Sequence, residues 1–287
     1  MNRGTTDLPV LLAPRRRIEA PGEWGLRDIA AVFGSRKVFA ALVAFAVLSV
    51  AVAEAADASV RPGVFATVLK WTPLIATGFL FNLAVSVASM AVGTFAGVLL
   101  GLGQISLLAP VRGASWAATQ FFRNSPWLVL LFFAMFLLPF ELKVAGVTIA
   151  LPAWFKAIIG LALPVMANVA EIVRGGIKSI PVGQWESAES LAFTRIQTLW
   201  RIILPQAVKR MIPPWMNLYA ILTMATTLIS VVGIQDAMTL TRGALVAEAR
   251  TDLYLPLYAM LLLLFFIYCY PIARLTQVLE RRLAFRI

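Results

Sequence analysis

The chain has 287 residues, 60% of them apolar and only 14% charged, with mean hydropathy +0.84. Soluble domains run roughly 45–50% apolar and about 25% charged, so a soluble globule, a disordered chain and a coiled coil are excluded and a polytopic membrane protein remains. A net charge of +11 in so apolar a chain must be located.

The sequence has no histidine and one cysteine, Cys269. Histidine acid–base chemistry, histidine metal ligands and Ser-His-Asp triads are thereby excluded. So are disulfides within the chain, zinc clusters and redox pairs. Cys269 lies in an apolar run and reads as a small hydrophobe.

Six charge-free stretches follow in order: Val38–Ala53, Trp71–Val111, Asn124–Phe140, Ala157–Ala170, Met211–Gln235 and Leu253–Ala273. A span needs about 20 apolar residues. The first stretch, after 37 residues, resembles a signal peptide but has too long a basic leader, so it reads as a retained helix. The second is too long for one straight crossing. It predicts a tilted helix from about Pro73 to Ile105 and a turn at Leu108–Gly113. The fourth is short, but Lys156 and Glu171 can snorkel, which extends it to Pro152–Val173. The expected fold is all-α with about six transmembrane helices.

With the N-terminus inside, 19 of the 25 Lys and Arg residues fall on the inner side and six on the outer. Seven of the 19 stand in residues 1–37 (Arg3, Arg15, Arg16, Arg17, Arg27, Arg36, Lys37). Basic residues collect on the cytoplasmic side, so both termini are expected inside. Within the second stretch Ser89, Gly93, Gly97 and Gly101 put small residues on one face, where another backbone can approach. Pro126, Pro164 and Pro213-Pro214 mark expected breaks. Broken helices at membrane depth face protein or an aqueous cavity, which points to a solute pathway.

The most informative segment is 174–205, between the fourth and fifth helices. Gly175-Gly176 is expected to end the fourth helix. Trp185, Ala188, Leu191 and Ala192 are helically spaced. A second short helix should start at Thr194, with Gln197 completing a capping box. Its apolar face would be Ile196, Leu199, Trp200 and Ile203, and Pro205 would end or bend it.

Glu186-Ser187-Ala188, three residues, Ala192, nine residues and Ile202-Ile203-Leu204-Pro205 resemble the EAA loop of bacterial ABC importer permeases. In that pattern Ala stands at the position of Ser187 and Gly at that of Ala192. Residues 170–177, Gly183-Gln184-Trp185-Glu186, Leu204-Pro205-Gln206-Ala207, Pro213-Pro214, Asn217, 230–234 and Phe122-Arg123-Asn124-Ser125-Pro126 resemble the polar amino-acid (histidine/glutamine-type) permeases.

The resemblance covers about residues 75–285. It implies five helices forming a type I importer permease core in residues 71–287. Residues 1–70 would be an N-terminal cytoplasmic arm plus an extra helix. It implies a non-enzymatic subunit of the bacterial inner membrane, passing a polar amino acid or a derivative such as an opine. The implied partners are two ATPase subunits that hold ATP and magnesium, a second permease, identical or homologous, and an extracellular or periplasmic solute-binding protein. Membrane lipid surrounds the chain, and no nucleic-acid partner is expected. The loop residues Glu186, Ser187, Ala188, Ala192, Ile202, Leu204 and Pro205 would meet the ATPase.

Candidate pathway residues are Asn82, Asn168, Asn217, Thr223, Thr226 and Thr227, with Asn168 foremost. Glu171 is expected to organise the Arg174 turn instead. The family commonly has Asn where this chain has Pro164 and an aromatic where it has Asn168. Its Lys-Asp or Lys-Asn pair becomes Met224-Ala225. These departures fit an unusual solute or the less active half of a heterodimeric pore. The competing classes are an integral membrane enzyme and an ion-coupled secondary transporter. The first lacks a nucleophile–base pair. The second usually shows ionisable residues within spans.

Overall fold

The apolar stretches fold as helices because a backbone in lipid must satisfy its own polar groups. The computed structural model describes residues 36–56, 63–144 and 147–283. Of the seven basic residues counted in 1–37, five fall outside those ranges, as does Arg286 of the tail.

Helix α1 is Arg36–Ala56, and its apolar part, Ala40–Glu54, is shorter than a full span. Helix α2, Val64–Gln104, has 41 residues and therefore measures about 60 Å. Its onset lies nine residues before the expected Pro73, and the boundary drawn at 70/71 falls inside it. Pro73 does not interrupt it. The turn expected at Leu108–Gly113 is mostly helix: α3 runs from Ala109 to Arg123, with Pro110 in its first turn, where the missing N–H costs nothing.

Helix α4, Trp127–Leu137, is bent 105° from α3, with Pro126 as its N-cap. Here the proline break is real. A two-stranded antiparallel hairpin, β1 (Glu141–Val144) and β2 (Val147–Ala150), follows and is the single addition to the all-helical expectation among the described residues. Helix α5, Ala153–Lys178, then crosses in 26 residues, and Pro164 lies inside it without ending it. It also runs through Gly175-Gly176, so the expected stop there is corrected. Gly176 is needed for packing: a Cβ on it would come within 2.6 Å of Met211 Cγ.

The segment after α5 holds α6, Val182–Ser190, and α7, Arg195–Thr198. A π turn, Leu199–Ile203, joins α7 to α8, Leu204–Ala225. The second short helix is thus the start of a long one, Arg195–Val232. Pro205 does not end it, because the wider π turn absorbs a proline that has no N–H to donate. Pro213-Pro214 also lie inside α8. The break comes later: Thr226–Val232 tightens to a 3₁₀ helix that stops at Gly233, φ +82°. Helix α9, Ala237–Glu248, and α10, Tyr254–Leu283, complete the described fold.

Among the described residues four helices are long and apolar enough to cross a membrane, or five with α3–α4 counted as one bent span. The expected six included α1.

The central pairing is α2 on α5. A Cβ on Gly97 would lie 2.6 Å from the Met166 carbonyl oxygen, and Gly93 and Gly101 meet Val165 and Val173 as closely. The small-residue face is therefore a packing face. Around it Val85, Leu161, Val165, Val169 and Leu222 form one core. A second core joins α1, the first half of α2, α9 and α10 through Ile75, Phe79, Leu245 and Leu257.

At the end away from α6, Glu248 accepts hydrogen bonds from Lys70 Nζ at 2.7 Å and Trp71 Nε1 at 2.8 Å. These donors hold its carboxyl below the usual carboxylate range. Lys156, expected to snorkel, is fully buried. Its ammonium donates to the Leu138 and Met135 carbonyls at 2.9 and 3.3 Å and sits 3.5 Å from the Phe140 ring centroid. It caps the carboxyl end of α4, where free carbonyls concentrate negative charge.

Candidate functional site: an inner cavity and a folded elbow

Two places collect the sequence-predicted residues. The first is a cavity of about 550 Å³ between α5, α8 and the end of α3. Asn168 and Asn217 both line it, together with Arg123, Glu171, Arg210 and Ile221. Ser179 and Pro214 line it as well. Asn168 Nδ2 donates to the Pro164 carbonyl at 2.8 Å, which orients the amide.

Glu171 is the hub of the charges. Arg174 reaches it through Nε and an Nη at 3.3 and 2.6 Å, and Arg123 approaches from the end of α3 at 3.5 Å. The expectation that Glu171 organises Arg174 matches this geometry. Arg210 donates to the Ser179 carbonyl at 2.5 Å, tying α8 to the end of α5.

The other pathway candidates do not reach the cavity. Asn82 is buried in a closed node: its Nδ2 donates to Thr226 Oγ1 and Asp236 Oδ2 at 3.1 and 3.2 Å. Its Oδ1 accepts the Ala237 N–H at 3.0 Å. Asp236 in turn caps α9 by accepting the Thr239 N–H at 2.9 Å. Thr223 and Thr226 are fully buried and return their hydroxyls to the Tyr219 and Thr223 carbonyls. Asn82, with Thr226, Asp236 and Ala237, ties the 3₁₀ segment and α9 to α2, while Thr223 bonds within its own helix; none of Asn82, Thr223 and Thr226 lines the cavity. Thr227 bonds the Met224 carbonyl and lies outside the cavity lining. The fold also brings Arg123, from the Phe122–Pro126 element, and Arg210 into the cavity lining, neither of them among the sequence-predicted pathway residues.

The second place is the elbow of α6 and α7. The capping box forms as expected: Thr194 N–H donates to Gln197 Oε1 at 2.9 Å and Gln197 N–H to Thr194 Oγ1 at 3.4 Å. Glu186, Ser187, Ala192 and Pro205 are exposed; Ala188 is buried, and Ile202 and Leu204 are half-buried. Ala192 sits outside α6 with φ +57°, a left-handed conformation. It is the turn residue: Ala192 N–H donates to the Glu189 carbonyl and Phe193 N–H to that of Ala188. Of the apolar face expected on the second helix, Ile203 is buried in the core, while Ile196 and Trp200 are 72% and 58% exposed. Val182 and Leu191 stand out as well. The elbow therefore carries an uncovered apolar surface beside Glu186.

A bundle of apolar helices long enough to cross a membrane, with a cavity between α5 and α8 and a capped elbow at one end, fits a membrane-spanning permease. Residues 93–285 match the family model of the binding-protein-dependent transport system inner membrane component. The chain belongs to that family, and is a multi-pass inner-membrane subunit rather than an enzyme.

It is 35% identical over 186 residues to the inner membrane amino-acid ABC transporter permease protein YhdY of Escherichia coli, covering 65% of this chain and 50% of that protein. This chain thus spans half the length of YhdY. It is 32% identical to the probable amino-acid ABC transporter permease protein YckA of Bacillus subtilis, over 74% of this chain and 90% of the relative. The crystal structure of an amino acid ABC transporter with histidines superposes with a TM-score of 0.65 at 26% identity, covering 75% of this chain and 96% of that one. The family implies work alongside an ATPase and a binding protein.

Proposed function

We propose that this subunit passes an amino acid or amino-acid derivative, an opine among them, inward along the α5–α8 cavity, driven by a separate ATPase seated on the α6–α7 elbow. The observation that carries the reading is the fixed-gap pattern of residues 186–205 folded as an elbow with Glu186 and apolar side chains uncovered. The amino-acid class is supported by the relatives' names.

In this reading the elbow and both termini are cytoplasmic, in accord with 19 basic residues on that side. Residues 71–287 are the permease domain and residues 1–70 an appended arm and helix. Two ATPase subunits hold ATP and magnesium; this chain, without a phosphate-binding loop, supplies only the docking surface. A second permease, identical or homologous, closes the pathway, and a binding protein delivers solute from outside. A helix that runs from the elbow into the span, from Arg195 through the π turn to Ala225, can carry rigid-body motion to the cavity wall.

Glu186→Arg tests the coupling. The expected result is loss of uptake and of solute-stimulated ATP hydrolysis, with membrane insertion and helix content unchanged. Uptake and ATPase assembly both surviving the substitution would remove the elbow from the mechanism.

A further inference from the structure

The proposed coupling needs a path from α6 into the span. The covalent path leaves α6 at Ser190, passes the left-handed turn at Ala192 and enters the capped start of α7. Residues 191–194 on that path lie outside any helix. A push on α6 can therefore be taken up by rotation in the turn before it reaches α8.

A shorter path runs through one side chain. Gln206 stands in the first turn of α8, just past Pro205. Its Nε2 donates to the Ile202 carbonyl at 2.9 Å and to Gln184 Oε1 at 3.2 Å. An amide nitrogen carries two hydrogens, so both are engaged, one by the π turn and one by α6. Gln184 lies in the first turn of α6, two residues before Glu186. Its bond to Gln206 spans 22 residues and bypasses the Ala192 turn.

The junction that Gln206 bridges is short of backbone hydrogen bonds. In a regular helix the Arg201 carbonyl would accept the N–H of residue 205, and Pro205 has none. Leu204 N–H reaches back to the Leu199 carbonyl instead, which makes the π turn. Helices kink at prolines and π bulges, so this is where the lever from elbow to span would flex. The Gln206 amide bonds across that point.

We propose that Gln206 is a positioning residue for coupling: it clamps α6 to the π turn and the start of α8, so that the three move as one body when the ATPase shifts α6. The inference rests on the proposed ATPase-driven function and names the contact that carries the elbow's motion to the span. Gln184 supplies the acceptor. A Gln184→Glu side chain can still accept from Gln206, whereas Gln184→Met and Gln206→Met keep the side-chain length and lose the bond.

The test uses the permease–ATPase complex in lipid nanodiscs and needs no solute. Cys269 is replaced by Ala, and spin labels are attached at Glu189→Cys on α6 and Lys209→Cys on α8, both exposed positions. Pulsed electron resonance measures their separation without nucleotide and with ATP and vanadate trapped on the ATPase. With Gln184 and Gln206 intact, the labels should keep one distance in both states. On trapping, Gln184→Met and Gln206→Met should each show a second distance, populated about fivefold more than with the intact pair. That is the ratio to which a net hydrogen bond of about 1 kcal/mol corresponds. Gln184→Glu should keep the single distance. Gln184 is exposed, so a residue that only filled space there would not separate Glu from Met. Size-exclusion elution and ATPase content check that each variant assembles.

A distance that changes on trapping with the pair intact, or Met variants that match the intact pair, overturns the clamp. So does Gln184→Glu behaving as Gln184→Met. An ATPase that fails to assemble with the intact chain would instead sink the proposed function, so the two failures are told apart.

Discussion

Ala192 occupies a left-handed turn at φ +57°, between α6 and the capped start of α7. For an L-residue this conformation costs about 1–2 kcal/mol, because Cβ crowds the following carbonyl. Glycine avoids that cost but loses about 0.4–1 kcal/mol through greater freedom in the unfolded chain. The Ala192 side chain is exposed, so no packing is lost with it. The net expectation for Ala192→Gly, from the middle of both ranges, is a more stable elbow by about 0.8 kcal/mol, which is about a fourfold change in an opening equilibrium.

The assay is hydrogen exchange by mass spectrometry on the protein in nanodiscs. The reporters are the Ala192 and Phe193 amides, which donate to the Glu189 and Ala188 carbonyls at 2.9 and 3.1 Å. Their exchange should slow by about fourfold in Ala192→Gly. Ala192→Val should speed it, since a β-branched residue at positive φ is a true outlier. Faster exchange in the glycine variant, or valine tolerated without change, would refute the argument from backbone strain. The same geometry explains why Gly stands at this position in the EAA pattern and what its absence costs here.

The remaining predictions address the packing and polar nodes. Gly97→Val pushes a side chain against the Met166 carbonyl and Val169, and should cost at least about 1–3 kcal/mol, read as a lower melting temperature in detergent. An unchanged melting temperature would mean the α2–α5 approach is not as close as 2.6 Å. Asn82→Leu strands the Ala237 N–H and one side of Asp236, and should destabilise by several kcal/mol, at about 1–3 kcal/mol per orphaned group. If it altered solute affinity with no loss of stability, Asn82 would belong to the pathway after all. Lys156→Met removes both hydrogen bonds that the ammonium makes at the end of α4 and should cost about 1.5–3 kcal/mol, with Lys156→Arg retaining part of the effect. For Glu248 the carboxyl is depressed, so its stabilisation is present above the unfolded value of about 4.3 and is lost as pH falls through the folded value. A melting-temperature profile from pH 6 to about 3 should show a smaller acid loss in Glu248→Gln than in the natural chain.

Much of this protein was legible in one dimension. The apolar runs and the bias of basic residues followed from the bilayer's demand for satisfied backbone and its aversion to charge. The capping box at Thr194 and Gln197 and the small-residue row at Gly93, Gly97 and Gly101 were readable because their partners lie within a few residues or on one helix face. Prolines were read less well. Pro164 and Pro213-Pro214 stay inside helices because tertiary packing outweighs the loss of a single hydrogen bond, and Pro205 is absorbed by a π turn. The real break at 226–233 carries no proline.

By itself, then, the sequence determined the membrane class, the helix-rich fold, the small-residue packing face and the elbow pattern of residues 186–205. These depend on local chemistry: transfer of side chains to lipid, and spacing along one helix. Only the tertiary structure decided which polar residues face a shared space. Asn82 and Asn168 look alike as amides within apolar runs. Asn82 is consumed by Thr226, Asp236 and Ala237, some 144–155 residues away, whereas Asn168 opens onto a cavity with Asn217 and Arg123. Such partners are set by the docking of distant helices, and an amide's role is defined by whether another protein group has already claimed its hydrogen bonds.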